Sequence, residues 1–430
     1  MKSSGSGTLA AGGAPPAVVA DWTVLVYMAG DNDLDSYAGA DLREMKEVGS
    51  NQRVHIVVQC DRAIAGAHRY YLRHGTTLRE DELAALGTIN TGDPRVLEAF
   101  LVWGLAAYPA KRTMVILWNH GNGWDDTDPY ATADERGVKS GGSRPSGLRR
   151  AGTEASGFAV WRSSTHARRG SPLFSPALVT QSECGQRRAI AFDDGAQDFL
   201  DSVEIKSVFT AVLREAGKFN VIGMDACLMS MVENGLQVQA AGEVFCGSQE
   251  VEPGAGWPYH RILRNLVTNP AQDGRSLAAI IVDEFAAAYA SNQVVTQSAV
   301  DLAALSDVRV AVDALGELLA QALAPGDDLN LAGAIVRARR TTQRFQHPDY
   351  VDLWDFAAKI AVLWPAAAPV AEKVQNAVAA CVIANTACHP EVAQAHGLSI
   401  YLPMGRTNAL YSRLELGRGG WFKFISGLAQ

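Results

Sequence analysis

The sequence contains no apolar run of about 18 residues or more, so it predicts no transmembrane helix. Its six cysteines include no Cys-x-x-Cys pair and no Cys/His spacing typical of a zinc site. Their scatter indicates no disulfide framework. Basic residues form no long run outside one loop, and the net charge is -8, which argues against nucleic-acid binding. These absences argue against a membrane-spanning protein, a zinc-site or disulfide-rich domain and a nucleic-acid-binding protein. They leave a globular protein with some other function.

The 430 residues are 48% hydrophobic and 20% charged, which is enough apolar material for a large core in two or three domains or one elaborated domain. Residues 1–20 are rich in Gly, Ala, Ser and Pro and lack the continuous apolar segment of a secretory signal. We interpret them as a disordered tail. The default expectation is a cytoplasmic protein, with export by an unusual signal left open.

Short apolar runs alternate with helical patterns through the first part of the chain. Strand–helix–strand order of this kind predicts right-handed crossovers and a mainly parallel sheet. The strands are predicted at residues 22–28, 54–59, 114–118, 221–224 and 244–248, and the helices at 34–48, 94–107, 202–216 and 229–240.

The chain changes character near residue 270, where Ala-rich helical segments begin to dominate. We therefore predict an α/β core over residues 21–270 and a helix-rich C-terminal subdomain over 271–430. This subdomain either adds strands to the same sheet or packs beside it. Its helices are predicted at 277–290, 308–322 and 370–384, and its strands at 296–300 and 397–402.

A cysteine follows the predicted strand 221–224 directly. We expect Cys227 to lie at a strand-to-helix corner, at the start of the helix 229–240. Two interpretations are open: a small buried cysteine, or a nucleophile whose thiolate is favoured by the helix N-terminus.

A histidine follows another predicted strand, at 114–118, and sits among small residues. His120 can meet Cys227 at the carboxyl edge of a parallel sheet, where open α/β folds place their sites. The N–H groups of Gly121 and Cys227 are candidates for an oxyanion hole. The structural alternative is a hydrogen-bonded histidine at a strand end, and His260 is the rival base.

Several acids and a second cysteine need separate interpretation. Asp225 precedes the cysteine by two positions, so its carboxylate either lines the pocket and binds a cationic side chain or caps a helix. Cys246 lies within a predicted strand and is expected in the core. Asp193 and Asp194 either bind a cation or a basic substrate, or simply follow a strand in a turn.

Residues from about 125 to 188 break the α/β pattern with an Arg-, Gly- and Ser-rich segment. Its length exceeds that of ordinary connections, and we interpret it as a flexible insert. It contains three basic pairs, at 149–150, 168–169 and 187–188, which alone indicate a solvated linker.

Four motifs, in order, resemble the clostripain family of cysteine peptidases. They are WTVLVYMAGD at 22–31, WNHGNGW at 118–124, DACLM at 225–229 and GLSIYLP at 397–403. The resemblance runs from residue 22 almost to the C-terminus and is interrupted mainly by the insert.

This resemblance implies a caspase-like α/β/α sandwich with Cys227 as nucleophile, His120 as general base or acid, and Asp225 in a pocket for Arg or sometimes Lys. It also implies a zymogen that cuts itself between His120 and Cys227, so the basic pairs become candidate processing sites. No cofactor is required, although some members depend on calcium. We expect polypeptide substrates, neither nucleic-acid nor membrane partners, and a monomer.

One position departs from the family pattern, and two other functions stay open. Ala255 stands where several relatives are expected to carry an Asp, which leaves open whether Arg is as strongly preferred here. The alternatives are a catalytically silent scaffold of the same fold that binds partner proteins, and a thiol-dependent acyltransferase that uses the same Cys–His pair.

Overall fold

The computed structural model describes residues 19–127, 130, 190–289, 293–323 and 329–428. Nearly all of the predicted tail and the three basic pairs of the predicted insert lie outside these residues.

Thirteen strands occur in the described part of the chain. They are β1 (Ala20–Gly30), β2 (Val54–Arg62), β3 (Ala67–Tyr71), β4 (Glu82–Gly87), β5 (Ala110–Trp118), β6 (Ile190–Asp193), β7 (Asp198–Leu200), β8 (Phe219–Asp225), β9 (Gly242–Gly247), β10 (Thr296–Asp301), β11 (Tyr350–Asp352), β12 (Val382–Ala387) and β13 (Ser399–Tyr401).

Twelve α-helices accompany them within the same described ranges. They are α1 (Asp35–Val48), α2 (Leu78–Asp81), α3 (Pro94–Ala107), α4 (Ser202–Ala216), α5 (Val232–Val238), α6 (Tyr259–Thr268), α7 (Gly274–Ala288), α8 (Leu305–Ala322), α9 (Leu329–Thr341), α10 (Leu353–Leu363), α11 (Ala368–Cys381) and α12 (Gly420–Gly427).

Nine of the strands form one sheet in the order β12-β10-β9-β8-β5-β1-β2-β3-β4. The five central strands, from β9 to β2, run parallel, whereas the strands added at both edges pair antiparallel. The predicted α/β fold with a mainly parallel sheet is confirmed. All five parallel strands therefore end at the same edge, and the loops that follow them are neighbours.

Both faces of the sheet are covered by helices. All eleven residues of β1 are buried, and alternate side chains enter different cores. Leu25, Tyr27 and Ala29 pack in one apolar cluster, while Val24 and Val26 pack in the other. This alternation explains why β1 is an almost unbroken apolar run.

The C-terminal part contributes two strands to this sheet, β10 and β12. The end of the helix predicted over 370–384 is in fact the start of β12. Strand β4 was not predicted, because its Glu-Leu-Ala-Ala sequence favours a helix and most of its residues are exposed. Pairing with β3 overrides that local preference. No helix in the described ranges has both the length and the apolar character needed to cross a membrane.

One buried acid of α5 gives the fold a dependence on pH. Glu233 is fully buried, and its Oε1 accepts hydrogen bonds from the N–H of Tyr401 at 2.9 Å and the hydroxyl of Tyr411 at 2.7 Å. Its Oε2 has no partner among the described residues. Burial raises the pKa of Glu233 to about 7. The native state therefore keeps a proton that the unfolded chain loses near pH 4.5.

We expect the Glu233→Gln variant to lose less stability than the wild type as the pH rises. A raised carboxyl pKa contributes stability below the unfolded pKa and loses it as pH passes through the folded pKa, here from about 4.5 to 7. The shift corresponds to about 3 kcal/mol in the free energy of unfolding. Urea unfolding at pH 5 and pH 8 measures the free energy of unfolding of both proteins. An equal change in that free energy between the two pH values in both proteins would contradict the prediction.

Candidate active site

The candidate site lies where β5 and β8 end side by side. These strands are parallel neighbours, and Trp118, the last residue of β5, is paired in register with Asp225, the last residue of β8. The segments that follow are therefore adjacent, and they carry His120 and Cys227. The backbone N–H of Asn119 donates to the carbonyl of Asp225 at 3.3 Å, which ties the two segments together.

A cleft of about 320 Å³, open to solvent, separates these segments from the loop that follows β9. Three of the predicted site residues, His120, Asp225 and Cys227, line this cleft together. The lining residues are Leu34, Trp118, Asn119, His120, Asp225, Ala226, Cys227, Glu252, Pro253, Gly254 and Gly256.

The predicted placement of Cys227 at a helix start is wrong. Cys227 lies in a turn, and α5 begins only at Val232. The turn is tight, because Leu228 adopts a positive φ of 63°, which is uncommon for a leucine. A helix N-terminus therefore does not favour the thiolate. Instead, the backbone N–H of Glu252 donates to the sulfur at 3.3 Å and stabilises negative charge there.

His120 is held by the loop after β1. Its Nε2 lies 2.8 Å from Oδ1 of Asp33, in the turn that leads to α1. The side chain of the preceding residue, Asn119, donates to the carbonyls of Ala29 and Phe192. Asp33 therefore orients the imidazole, and Asn119 anchors the segment that carries it. Because β1 and β5 are parallel neighbours, the segments that follow them lie close together. This adjacency could have indicated that Asp33 lies near His120.

Gly121 packs directly against the cysteine turn. A Cβ at this position would lie 2.5 Å from the carbonyl oxygen of Cys227 and 2.9 Å from the sulfur of Met229. Gly121 also forms an isolated bridge with Ile190, the first residue of β6. A glycine is therefore required here so that the histidine and cysteine segments can approach each other.

Asp225 is buried beside Cys227 and is not a helix cap. Its Oδ2 accepts hydrogen bonds from the hydroxyl of Tyr259 at 2.7 Å and the N–H of Trp257 at 3.3 Å. Gly256 leaves room for it, since a Cβ there would lie 3.0 Å from both carboxylate oxygens. Burial raises the pKa of Asp225 above its usual range, which indicates that an acid here is costly without a cation.

Glu252 is a further buried acid of the cleft, and the sequence did not predict it. It is 4% exposed, lines the cleft, and has an Oε2 with no hydrogen-bond donor among the described residues. Burial and the charge of Asp225 raise the pKa of Glu252 well above its usual range. Two buried acids side by side are costly as a pair of charges, so this part of the cleft favours a cation.

The other candidates lie outside the cleft. His260 contacts Glu44 through Nδ1, 2.9 Å from Oε2, and is not among the lining residues. Cys246 is fully buried in β9, as expected, and burial raises the pKa of its thiol. Asp194 accepts a hydrogen bond from Tyr130, and Asp193 is buried at the end of β6.

Comparison with known proteins assigns this arrangement to a family. A model of the clostripain family matches residues 26–138 and 177–412, most of the chain. No significant match is found among curated protein sequences.

Solved structures of the same peptidase family share the fold. A secreted C11 cysteine protease from Bacteroides thetaiotaomicron, in complex with an irreversible peptide inhibitor, superposes with a TM-score of 0.62 at 18% identity, covering 93% of this chain and 99% of that one. An inactive zymogen C11 protease from Parabacteroides distasonis gives 0.62 at 18% identity, with 96% and 99% coverage. The chain therefore belongs to the clostripain family of cysteine peptidases and has their caspase-like fold.

Proposed function

We propose that this peptidase is an endopeptidase that cleaves after Arg, and more weakly after Lys, through Cys227 and His120. The observation that carries the proposal is the pair of buried acids, Asp225 and Glu252, in the cleft beside the cysteine. A cationic side chain before the scissile bond neutralises this pair.

The acid pair suits a guanidinium in particular. Neither carboxyl forms an ion pair with a basic side chain in the part of the chain that the structure describes. A planar guanidinium has five donors in a fork and binds carboxylates through paired hydrogen bonds, which a lysine ammonium does not. Ala255 supplies no charge where an Asp was expected, and Glu252 provides the second acid from the same loop.

The chemistry proceeds by acyl transfer. Cys227 Sγ attacks the scissile carbonyl carbon, and the N–H groups of Gly121 and Cys227 stabilise the oxyanion, each worth roughly 3 kcal/mol. His120 takes the thiol proton of Cys227 and gives it to the leaving amine as the scissile C–N bond breaks, and it then activates water to hydrolyse the thioester. Asp33 keeps the imidazole oriented for both steps. No cofactor takes part in this chemistry, and a monomer contains every residue it needs.

We also propose self-processing within the insert between His120 and Cys227. The chain returns from the insert at β6, whose first residue, Ile190, bridges to Gly121 beside the cleft. The basic pair at 187–188 precedes that bridge by two residues. This closeness along the sequence makes the 187–188 pair the first candidate for the processing site. A structurally similar protease was solved as an inactive zymogen.

A peptide series tests the specificity. Four substrates that differ only in the residue before the scissile bond carry Arg, Lys, citrulline or Leu. We expect kcat/KM for the Arg peptide to exceed that for citrulline, its neutral isostere, by at least about 100-fold, because only a cation satisfies the buried acids. Lys should fall between them. Equal cleavage of the Arg and citrulline peptides would refute the proposed pocket.

A further inference from the structure

A buried acid with one unsatisfied oxygen lies just beyond the histidine segment and outside the substrate cleft. Asp126 is fully buried and is not among the residues that line the cleft. Its Oδ1 accepts hydrogen bonds from the N–H and the hydroxyl of Ser202, at 2.8 and 2.9 Å. Its Oδ2 has no hydrogen-bond partner among the described residues. A buried carboxylate oxygen without a donor is unfavourable, so this position favours a ligand that donates.

The charges around Asp126 leave room for one more cation. Asp201, the N-cap residue of α4, is also buried, and burial together with the charge of Asp201 raises the pKa of Asp126 to about 8. Arg413 is the basic residue beside them, and its Nη2 donates to Oδ2 of Asp201 at 3.1 Å. Within the described residues, no other Lys, Arg or His forms an ion pair with either acid. Two buried carboxyl groups therefore share a single guanidinium.

The start of β6 lies beside this pair of acids. Ile190 is the first residue of β6 and pairs antiparallel with Leu200, which immediately precedes Asp201. Both paired residues are fully buried. The nitrogen of Ala189 is joined to Ile190, so covalent geometry alone keeps it within about 5 Å of the Ile190 Cα. A charge on that nitrogen is thereby confined to the neighbourhood of Asp201 and Asp126.

We propose that a cut after Arg188 creates an α-ammonium group on Ala189 that binds the buried acids Asp126 and Asp201. Hydrolysis adds one water to the peptide bond and leaves a carboxylate on Arg188 and an amine on Ala189, which is largely protonated near neutral pH. In the uncut chain the same nitrogen is a neutral amide with a single N–H. The proposal rests on the proposed self-processing at the basic pair 187–188.

Binding of the new chain end stabilises the segment that carries the catalytic histidine. Asp126 ends the stretch 118–126, which contains His120 and Gly121, and Ile190 bridges to Gly121 within that stretch. The ammonium therefore holds the start of the second chain against the end of the first, at a point beside the cleft. An effect on catalysis depends on the proposed role of His120, whereas binding of the ammonium does not.

The experiment uses the full-length Cys227→Ala protein, so the result does not depend on peptidase activity. Three substitutions place the factor Xa recognition sequence Ile-Glu-Gly-Arg before Ala189: Gly185→Ile, Gln186→Glu and Arg187→Gly. Factor Xa then makes the cut after Arg188, and intact mass confirms it.

The reactivity of the new amine reports its binding directly. Acetylation of Ala189 by sulfo-NHS-acetate at pH 7, followed by mass spectrometry, should be at least about 10-fold slower in this cut protein than in its Asp126→Asn variant. The reason is that a bound ammonium is shielded and held in its protonated form by the acids. Equal rates of acetylation in the two proteins would overturn the proposal.

Thermal unfolding separates binding of the ammonium from a purely structural role of Asp126. Before the cut, Asp126→Asn should have a Tm equal to or above that of the parent, because Oδ2 has no donor to lose. After the cut, its Tm should fall about 4 °C below that of the cut parent, because the ammonium loses a charged partner. A change in Tm of the same size before and after the cut would contradict the assigned site.

Asp194→Asn is the matched control, because it removes the same charge from an exposed acid in the hairpin of β6 and β7. Its rate of acetylation and its Tm should equal those of the parent in both forms. An effect as large as that of Asp126→Asn would show that general electrostatics, and not this site, protects the amine.

The processing bond is tested separately on the wild type. N-terminal sequencing of its second chain should begin at Ala189, and any other N-terminus would overturn the proposal for the natural protein. A wild type that stays uncut would instead refute self-processing, and protection of the amine in the protein cut by factor Xa would still establish the acid site.

Discussion

The Cys227→Ala variant is expected to stay a single uncut chain and to lose cleavage of an Arg peptide by on the order of 10⁶-fold. The sulfur faces the cleft and lies in a turn that Gly121 and the N–H of Glu252 hold in place. The remaining hydrogen bonds of the site position the substrate but supply no nucleophile, so only the uncatalysed background remains.

Intact mass spectrometry and hydrolysis of the Arg peptide measure both outcomes. The matched control is Cys388→Ala, which removes a half-buried thiol just beyond β12, outside the residues that line the cleft. It should process and cleave like the wild type. A Cys227→Ala protein that still divides into two chains would show that another residue or another protease performs the cut. Residual peptide hydrolysis above about 1% would exclude Cys227 as the nucleophile.

Much of this site follows from the order of apolar strands along the chain. Strands buried on both faces are recognisable as near-continuous apolar runs, and parallel strands must end at one edge. The sequence therefore predicts His120 beside Cys227 and Asp225, and in the structure the three residues line one cleft, next to the paired strand ends Trp118 and Asp225. Three of the four family motifs lie on β1, β5 and β8 and the segments that follow them, whereas the fourth contains β13, which is outside this sheet.

The contacts that depend on loops were not predictable in the same way. Cys227 was expected at a helix N-terminus. The chain instead makes a turn there, with Leu228 at positive φ, and α5 begins only at Val232. Apolar periodicity does not distinguish a helix that starts at 229 from one that starts at 232. The contact between Glu252 and Asp225 joins a glycine-rich loop to a strand end, and only the folded chain brings them together.

Removing the charge of Asp225 should abolish the preference for Arg with little damage to the catalytic chemistry. In Asp225→Asn the amide oxygen still accepts hydrogen bonds from Tyr259 and Trp257, so the local packing is kept. A buried guanidinium loses one charged partner, which typically costs about 2–5 kcal/mol. We expect kcat/KM for the Arg peptide to fall by about 100- to 1,000-fold, while the citrulline peptide changes only a few-fold.

Glu252→Gln is the paired test, because this acid lines the same cleft as Asp225. We expect it to lower the Arg-to-citrulline ratio by about 10- to 100-fold, less than Asp225→Asn does, and the double variant should not discriminate between the two peptides. Alkylation of Cys227 by iodoacetamide reports whether the nucleophile stays intact in each variant. An unchanged ratio in Asp225→Asn, with Cys227 still reactive, would place recognition of the basic side chain elsewhere.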